Sequence, residues 1–149
     1  MFFDTNAFQD IKTVRCTTAR AAGTANSTGA MLDRAGYQGV AFMAVLGAAT
    51  AAGVATLSMK GGNSTTSTAA TALTPSATIT ETTDGAAENG ILLLDERNPV
   101  YRYYWPILAL TMQNIAVDGV LGFAYRPTNT PVTQDADVVD SSFTEVSST

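Results

Sequence analysis

The sequence predicts an all-β module, a β-sandwich or jelly-roll-like fold with extended arms at both ends. Three observations carry this. Short runs of apolar and β-branched residues are separated by Gly, Pro, Asn and Asp turn signals. Several of those runs alternate with period two, and none shows the apolar spacing of an amphipathic helix. Hydrophobic residues make up 46% of the 149 positions, enough for one core, with length left for arms.

Residues 1–9 read as an N-terminal arm and residues 10–130 as the module. Over 10–20, Ile11, Thr13 and Arg15 alternate with Lys12, Val14 and Cys16, which predicts a strand. Residues 21–30 are small and polar and read as a flexible connection. A short element begins at 31–33, and Asp33 to Gly36 reads as a turn. The strongest strand is 38–46. It sets Val40, Phe42, Ala44 and Leu46 on one face and Ala41, Met43 and Val45 on the other. A strand apolar on both faces is expected to be covered on both, by a second sheet or by a neighbouring subunit.

The next strand, 53–60, sets Val54, Thr56 and Ser58 opposite Ala55, Leu57 and Met59. Residues 63–89 are rich in Thr, Ser and Ala and read as an exposed excursion, with a brief strand at 77–80. Residues 90–95 read as a buried strand and 96–99 as a turn. The aromatic run 100–112 puts Tyr101, Tyr103, Trp105 and Ile107 on one face and Arg102, Tyr104 and Leu108 on the other. Pro106 demands a bulge or an edge position there. The last strand, 115–125, carries Val117, Leu121, Phe123 and Tyr125. Residues 131–149 read as an extended C-terminal arm, with Val132, Val138, Val139, Phe143 and Val146 too sparse for a second core.

Chemistry is harder to find. Net charge is −5 and the eight basic residues are scattered, so nucleic acid is not an expected partner. There is no histidine, the commonest general base and transition-metal ligand. The single Cys16 lies in a strand-like run with no His to activate it, and reads as a buried structural thiol. Asp95 and Glu96 are adjacent, so in a strand they point to opposite faces. Asp135-Ala136-Asp137 lacks the Gly and closing Glu of a calcium loop. Gly61-Gly62-Asn63-Ser64 lacks the Lys of a phosphate loop.

No catalytic residue, cofactor or metal ligand is therefore predicted, and the chain is expected not to be an enzyme. Only 14% of residues are charged, which makes the surface cheap to desolvate on contact with another protein. Tyr101, Tyr103, Tyr104 and Trp105 are interface candidates, because Tyr, Trp and Arg are enriched at binding hot spots. Val138, Val139 and Phe143 of the arm are the others.

The N-terminus carries no basic segment ahead of its apolar residues and does not read as a secretory signal. Residues 37–59 have no charge and are long enough to span a bilayer, but glycines interrupt them, so two strands and a loop are expected. A membrane partner is not expected.

Two segments carry a family resemblance. The first is Gly39-Val40-Ala41-Phe42-Met43-Ala44-Val45-Leu46-Gly47, followed by Val54-Ala55-Thr56-Leu57. The second is Leu92-Leu93-Leu94-Asp95, a turn containing Pro99, Tyr101-Arg102-Tyr103-Tyr104-Trp105-Pro106, Ala116-Val117-Asp118-Gly119-Val120 and Tyr125-Arg126-Pro127. In this order they resemble small virion proteins of tailed-bacteriophage heads, capsid decoration (cement) proteins among them.

The resemblance covers residues 38–132 and rests on structural motifs. It implies a structural protein made in the host cytoplasm that sits on the capsid exterior. There it would bind the major capsid protein as a homotrimer and stabilise an icosahedral head. The alternatives are a tail-tube or head–tail joining protein, or a membrane-inserted coat or pilus subunit through residues 37–59.

Overall fold

Alternating runs become strands, and the turn residues between them set where the chain crosses from one sheet to the other. A computed structural model describes residues 7–82, 85, 87–129 and 132–138. The strands are β1 (Ile11–Thr17), β2 (Arg20–Gly23), β3 (Ser27–Thr28), β4 (Leu32–Asp33), β5 (Tyr37–Ala49), β6 (Val54–Gly62), β7 (Thr71–Thr80), β8 (Ile91–Glu96), β9 (Tyr103–Thr111) and β10 (Ile115–Pro127). They form two antiparallel sheets. The front sheet has the order β1-β10-β5-β8, with β2 also on β10. The back sheet has the order β3-β9-β6-β7, with β4 also on β9.

The pairing is nested. The hairpin β6/β7 is enclosed by β5/β8, then by β3 and β4 with β9, then by β1/β10. Nested pairs divided between two facing sheets make a jelly roll, with β3 and β4 as two halves of one interrupted strand. The expected all-β sandwich is what the chain forms.

The core lies between the sheets. Val14 and Cys16, Val40, Phe42, Ala44 and Leu46, Leu92 and Leu94, and Val117, Val120 and Ala124 point inward from the front sheet. Leu32, Ala55, Leu57, Met59, Tyr104, Leu108 and Leu110 meet them from the back. A Cβ on Gly122 would lie 3.0 Å from both Cys16 Sγ and Phe42 Cε1, so the two side chains occupy the room a larger residue would need. Burial, and then the charges of Asp137 and Asp135, push the Cys16 thiol up to about 12.

Some expectations need correction. The Ser/Thr/Ala-rich segment is not mainly an excursion. Thr71–Thr80 forms a full edge strand on β6. Its inward side is only Leu73, Pro75, Ala77 and Ile79, too weakly apolar to stand out from the polar residues around it. Residues 21–30 hold β3 and part of β2 rather than a free connection.

The aromatic strand starts at Tyr103, so Tyr101 precedes it and packs edge-on against Tyr104, with ring centroids 6.3 Å apart. Pro106 sits in the middle of β9 without a bulge against β6. Its carbonyl accepts a bond from Gly29 N at 2.8 Å, so its nitrogen faces that same side, where the ladder breaks between β3 and β4. The missing N–H is lost where no strand partner stands.

Candidate functional site

The site is a surface, and it follows from strands that are apolar on both faces. β5 sends Ala41, Met43 and Val45 outward, β8 sends Ile91 and Leu93, and β10 sends Leu121 and Phe123. Register aligns them in rows. Gly119, Val45 and Ile91 form one row, and Arg15, Leu121, Met43 and Leu93 the next. Thr13, Phe123, Ala41 and Asp95 form a third, and Ile11, Tyr125 and Gly39 a fourth.

The two central strands leave their outward side chains half-buried, whereas Ile91 and Leu93 on the edge are 57% and 67% exposed. The run 90–95 is therefore buried on one side only, contrary to its uniform apolar composition. Apolar patches with polar rims are candidate interaction sites.

The rim is ordered. The Tyr125 ring lies flat over Gly39 on the neighbouring strand, in the space a Cβ would fill. From there its hydroxyl donates to Asp95 Oδ1 on β8. Burial first, and then the Asp95 hydrogen bond and charge, push the Tyr125 phenol up to about 12. Arg15 marks the opposite edge, exposed and in no ion pair among the described residues.

The back sheet's outer face differs in kind. It carries Thr56, Ser58, Thr78 and Thr80, and the Thr56 and Thr78 hydroxyls bond at 3.0 Å. Trp105 also points outward here, yet is only 4% exposed. The chain just after the 3-10 turn Ser67–Ala69 comes down at Ala70 beside Gly62, next to the indole, and Tyr103 flanks it with ring centroids 6.4 Å apart.

The predicted interface residues are thus dispersed. Tyr104 is fully buried in the core, and Trp105 is covered by its own chain, so neither offers a surface to a partner. Alternation along a strand says which residues share a face, not what covers them. Tyr101 and Tyr103 are half-buried, as is Val138. Val139 and Phe143 lie outside the described residues.

The arginines beside the aromatic run are structural. Arg102 forks onto Asp33 with Nε to Oδ1 at 3.1 Å and Nη2 to Oδ2 at 3.0 Å. That hydrogen bond holds the Asp33 carboxyl below its usual range. Arg34 donates to the Tyr101 and Tyr37 carbonyls at 2.7 and 3.0 Å. Both clamp the β4–β5 turn to the start of β9.

After β10 the chain returns along β1. Val132 N donates to the Gln9 carbonyl at 2.9 Å. The Gln134 side chain accepts from Thr13 N at 2.9 Å and donates to the Ile11 carbonyl at 2.7 Å. One amide side chain thereby stands in for a neighbouring strand and blunts an open sheet edge. Among the described residues no group of three or more His, Cys, Asp or Glu is placed to hold a metal. The uncharged segment 37–59 is β5, a turn and part of β6, and no helix of the described residues is long and apolar enough to cross a membrane.

No protein family matches the chain, and no curated protein does. Among solved structures it is similar to the Eiger TNF of S. frugiperda at 5% identity and TM-score 0.39, over 80% of this chain and 99% of that one. It is also similar to the CBM22-1–GH10 xylanase Xyn10B of Clostridium thermocellum at 12% identity and TM-score 0.41, over 88% of this chain and 28% of that one. At these scores neither likeness bears on what this chain does. The fold rests on its own ladders.

Proposed function

We propose that this chain is a non-catalytic structural module that works by laying the outer face of its front sheet against another protein surface. The observation that carries this is the row Leu121–Met43–Leu93 with its apolar neighbours, which the described residues leave uncovered. Burying that face removes apolar area from water without stripping many charges.

The particular setting we propose is the exterior of a tailed-phage head, where the chain acts as a decoration protein on the major capsid protein. Support for it is the sequence resemblance over residues 38–132, together with a fold that capsid and lectin domains share. Fold alone does not choose between those uses. The mechanism is mass action, because a protein that binds only the assembled shell stabilises that shell.

The test begins with particles purified from the host that carries this gene, in which mass spectrometry should find the chain at a fixed copy number. Particles lacking it are then titrated with wild-type and Leu93→Glu protein. Fewer bound copies of the variant are expected. A chain absent from the particles would end the phage reading, and equal binding would take the front face out of the attachment.

A further inference from the structure

We infer that a second copy of this chain covers the outer face of the front sheet, packed face to face about a two-fold axis running along the strands. The inference rests on the reading of this face as a docking surface and names its occupant.

Size comes first. The four rows hold fourteen positions on strands about 4.8 Å apart, with rows about 6.8 Å apart, and cover roughly 460 Å² on each copy. The pair would bury about 900 Å², close to the lower bound for a specific interface. Two sheets stacked face to face with nearly aligned strands are also the ordinary packing of β-sandwiches, so the geometry needs no new device.

Charge selects the partner and the axis. Arg15 stands on the β1 edge of the face and Asp95 on the β8 edge, at opposite sides of the apolar rows. A two-fold along the strands lays β1 of each copy over β8 of the other, setting Arg15 over Leu93 with Asp95 one row away, where it already pairs with Arg97 at 3.7 Å and accepts from Tyr125, so that Arg15 joins this charge cluster twice. A two-fold across the strands through the centre of the patch would instead bring the two Arg15 side chains towards each other. Asp118 at one end of the face, and Arg97 and Arg126 at the other, meet their own kind in the chosen arrangement. They are exposed and beyond the apolar rows, where solvent screens them. The edge charges orient the pair and the apolar rows hold it.

The number follows from the same geometry. A patch that meets itself is isologous, and only a two-fold axis produces that. A homotrimer, as the family resemblance implies, would need a second and different surface. In the proposed pair Met43 of one copy faces Leu121 of the other. With the front face covered by the second copy, each copy would meet a shell through another surface, and pairing would make that attachment bivalent.

Sedimentation velocity from about 1 to about 200 µM should show wild-type protein passing from monomer to dimer. Leu93→Lys, which sets a second cation opposite Arg15 of the other copy at an exposed position that leaves the fold intact by circular dichroism, should stay monomeric. Orientation is read by mixing Met43→Cys chains with Leu121→Cys chains, both also Cys16→Ser, with a short bis-maleimide, because sheets stacked about 10 Å apart hold facing Cα atoms beyond disulfide reach. Mixed crosslinked dimers should exceed either self-linked product. Wild type that remains monomeric, forms a trimer, or links mainly Met43→Cys to itself overturns the inference. If wild type is monomeric while Leu93→Glu still loses attachment to particles, the second copy fails and the docking face stands. If Leu93→Lys leaves association unchanged and Leu93→Glu leaves attachment unchanged, both fail.

Discussion

Replacing Trp105 with Ala tests where the aromatic strand stores its stability. The indole is 4% exposed, but it lies outside the two-sheet core, under Ala70 and beside Gly62 and Tyr103. A buried Trp removes about 200 Å² from water, and at about 25 cal/mol per Å² that is an upper bound near 5 kcal/mol. Trp→Ala in a core costs about 3–5 kcal/mol. Here one wall is a surface connection that can settle into the space, so about 3 kcal/mol is expected. Urea unfolding followed by far-UV circular dichroism should show a lower midpoint with an unchanged slope. Trp105 is the single Trp, so wild-type fluorescence independently reports its cover. Emission freely quenched in native protein, or a loss below about 1 kcal/mol, would refute the burial argument.

Other outcomes follow from the same contacts. Gly39→Ala should drive the Tyr125 ring off β5 and break its bond to Asp95, costing about 1–3 kcal/mol by overpacking; thermal melts of Gly39→Ala in wild-type and Tyr125→Phe backgrounds check it, and equal melting of the glycine and alanine chains would contradict it. Because the Tyr125 phenol is raised from 10.0 to about 12, its contribution is intact below pH 10 and lost as pH rises towards 12. Tyr125→Phe should flatten that alkaline decline, and an unchanged decline would show that other groups cause it. Cys16, buried and raised to about 12, should resist a thiol reagent in native protein and react fully in urea; fast native labelling would contradict its place in the core. Gln134→Ala should unlatch the β1 edge, seen as faster hydrogen exchange at Thr13 N–H, whereas removing residues 139–149 should leave that amide protected.

Much is legible in the sequence. The alternation of Val40, Phe42, Ala44 and Leu46, and of Ala55, Leu57 and Met59, specified two strands and the residues they bury. The absence of helical period specified the class. The doubly apolar β5 already contained half of the candidate site, since Ala41, Met43 and Val45 had to be covered by something. The β8 run Ile91–Leu94 gave the same signal but read as simply buried.

Other elements stayed hidden for identifiable reasons. β7 pairs through backbone groups that any Thr or Ser supplies, and its inward side is too weakly apolar to register as a pattern. Tyr104 and Trp105 are adjacent aromatics with one composition and two fates. One enters the core and the other stands beside Gly62, where the chain also passes at Ala70, about 35 residues earlier, a neighbourhood no local pattern encodes. Composition and alternation, which depend only on neighbours in sequence, determined that this protein would be a β-sandwich with an apolar strand face in excess of one core. Only the tertiary structure decided which face remained outside, because cover depends on where distant strands stack, and the back sheet can lie against one side of the front sheet but not both.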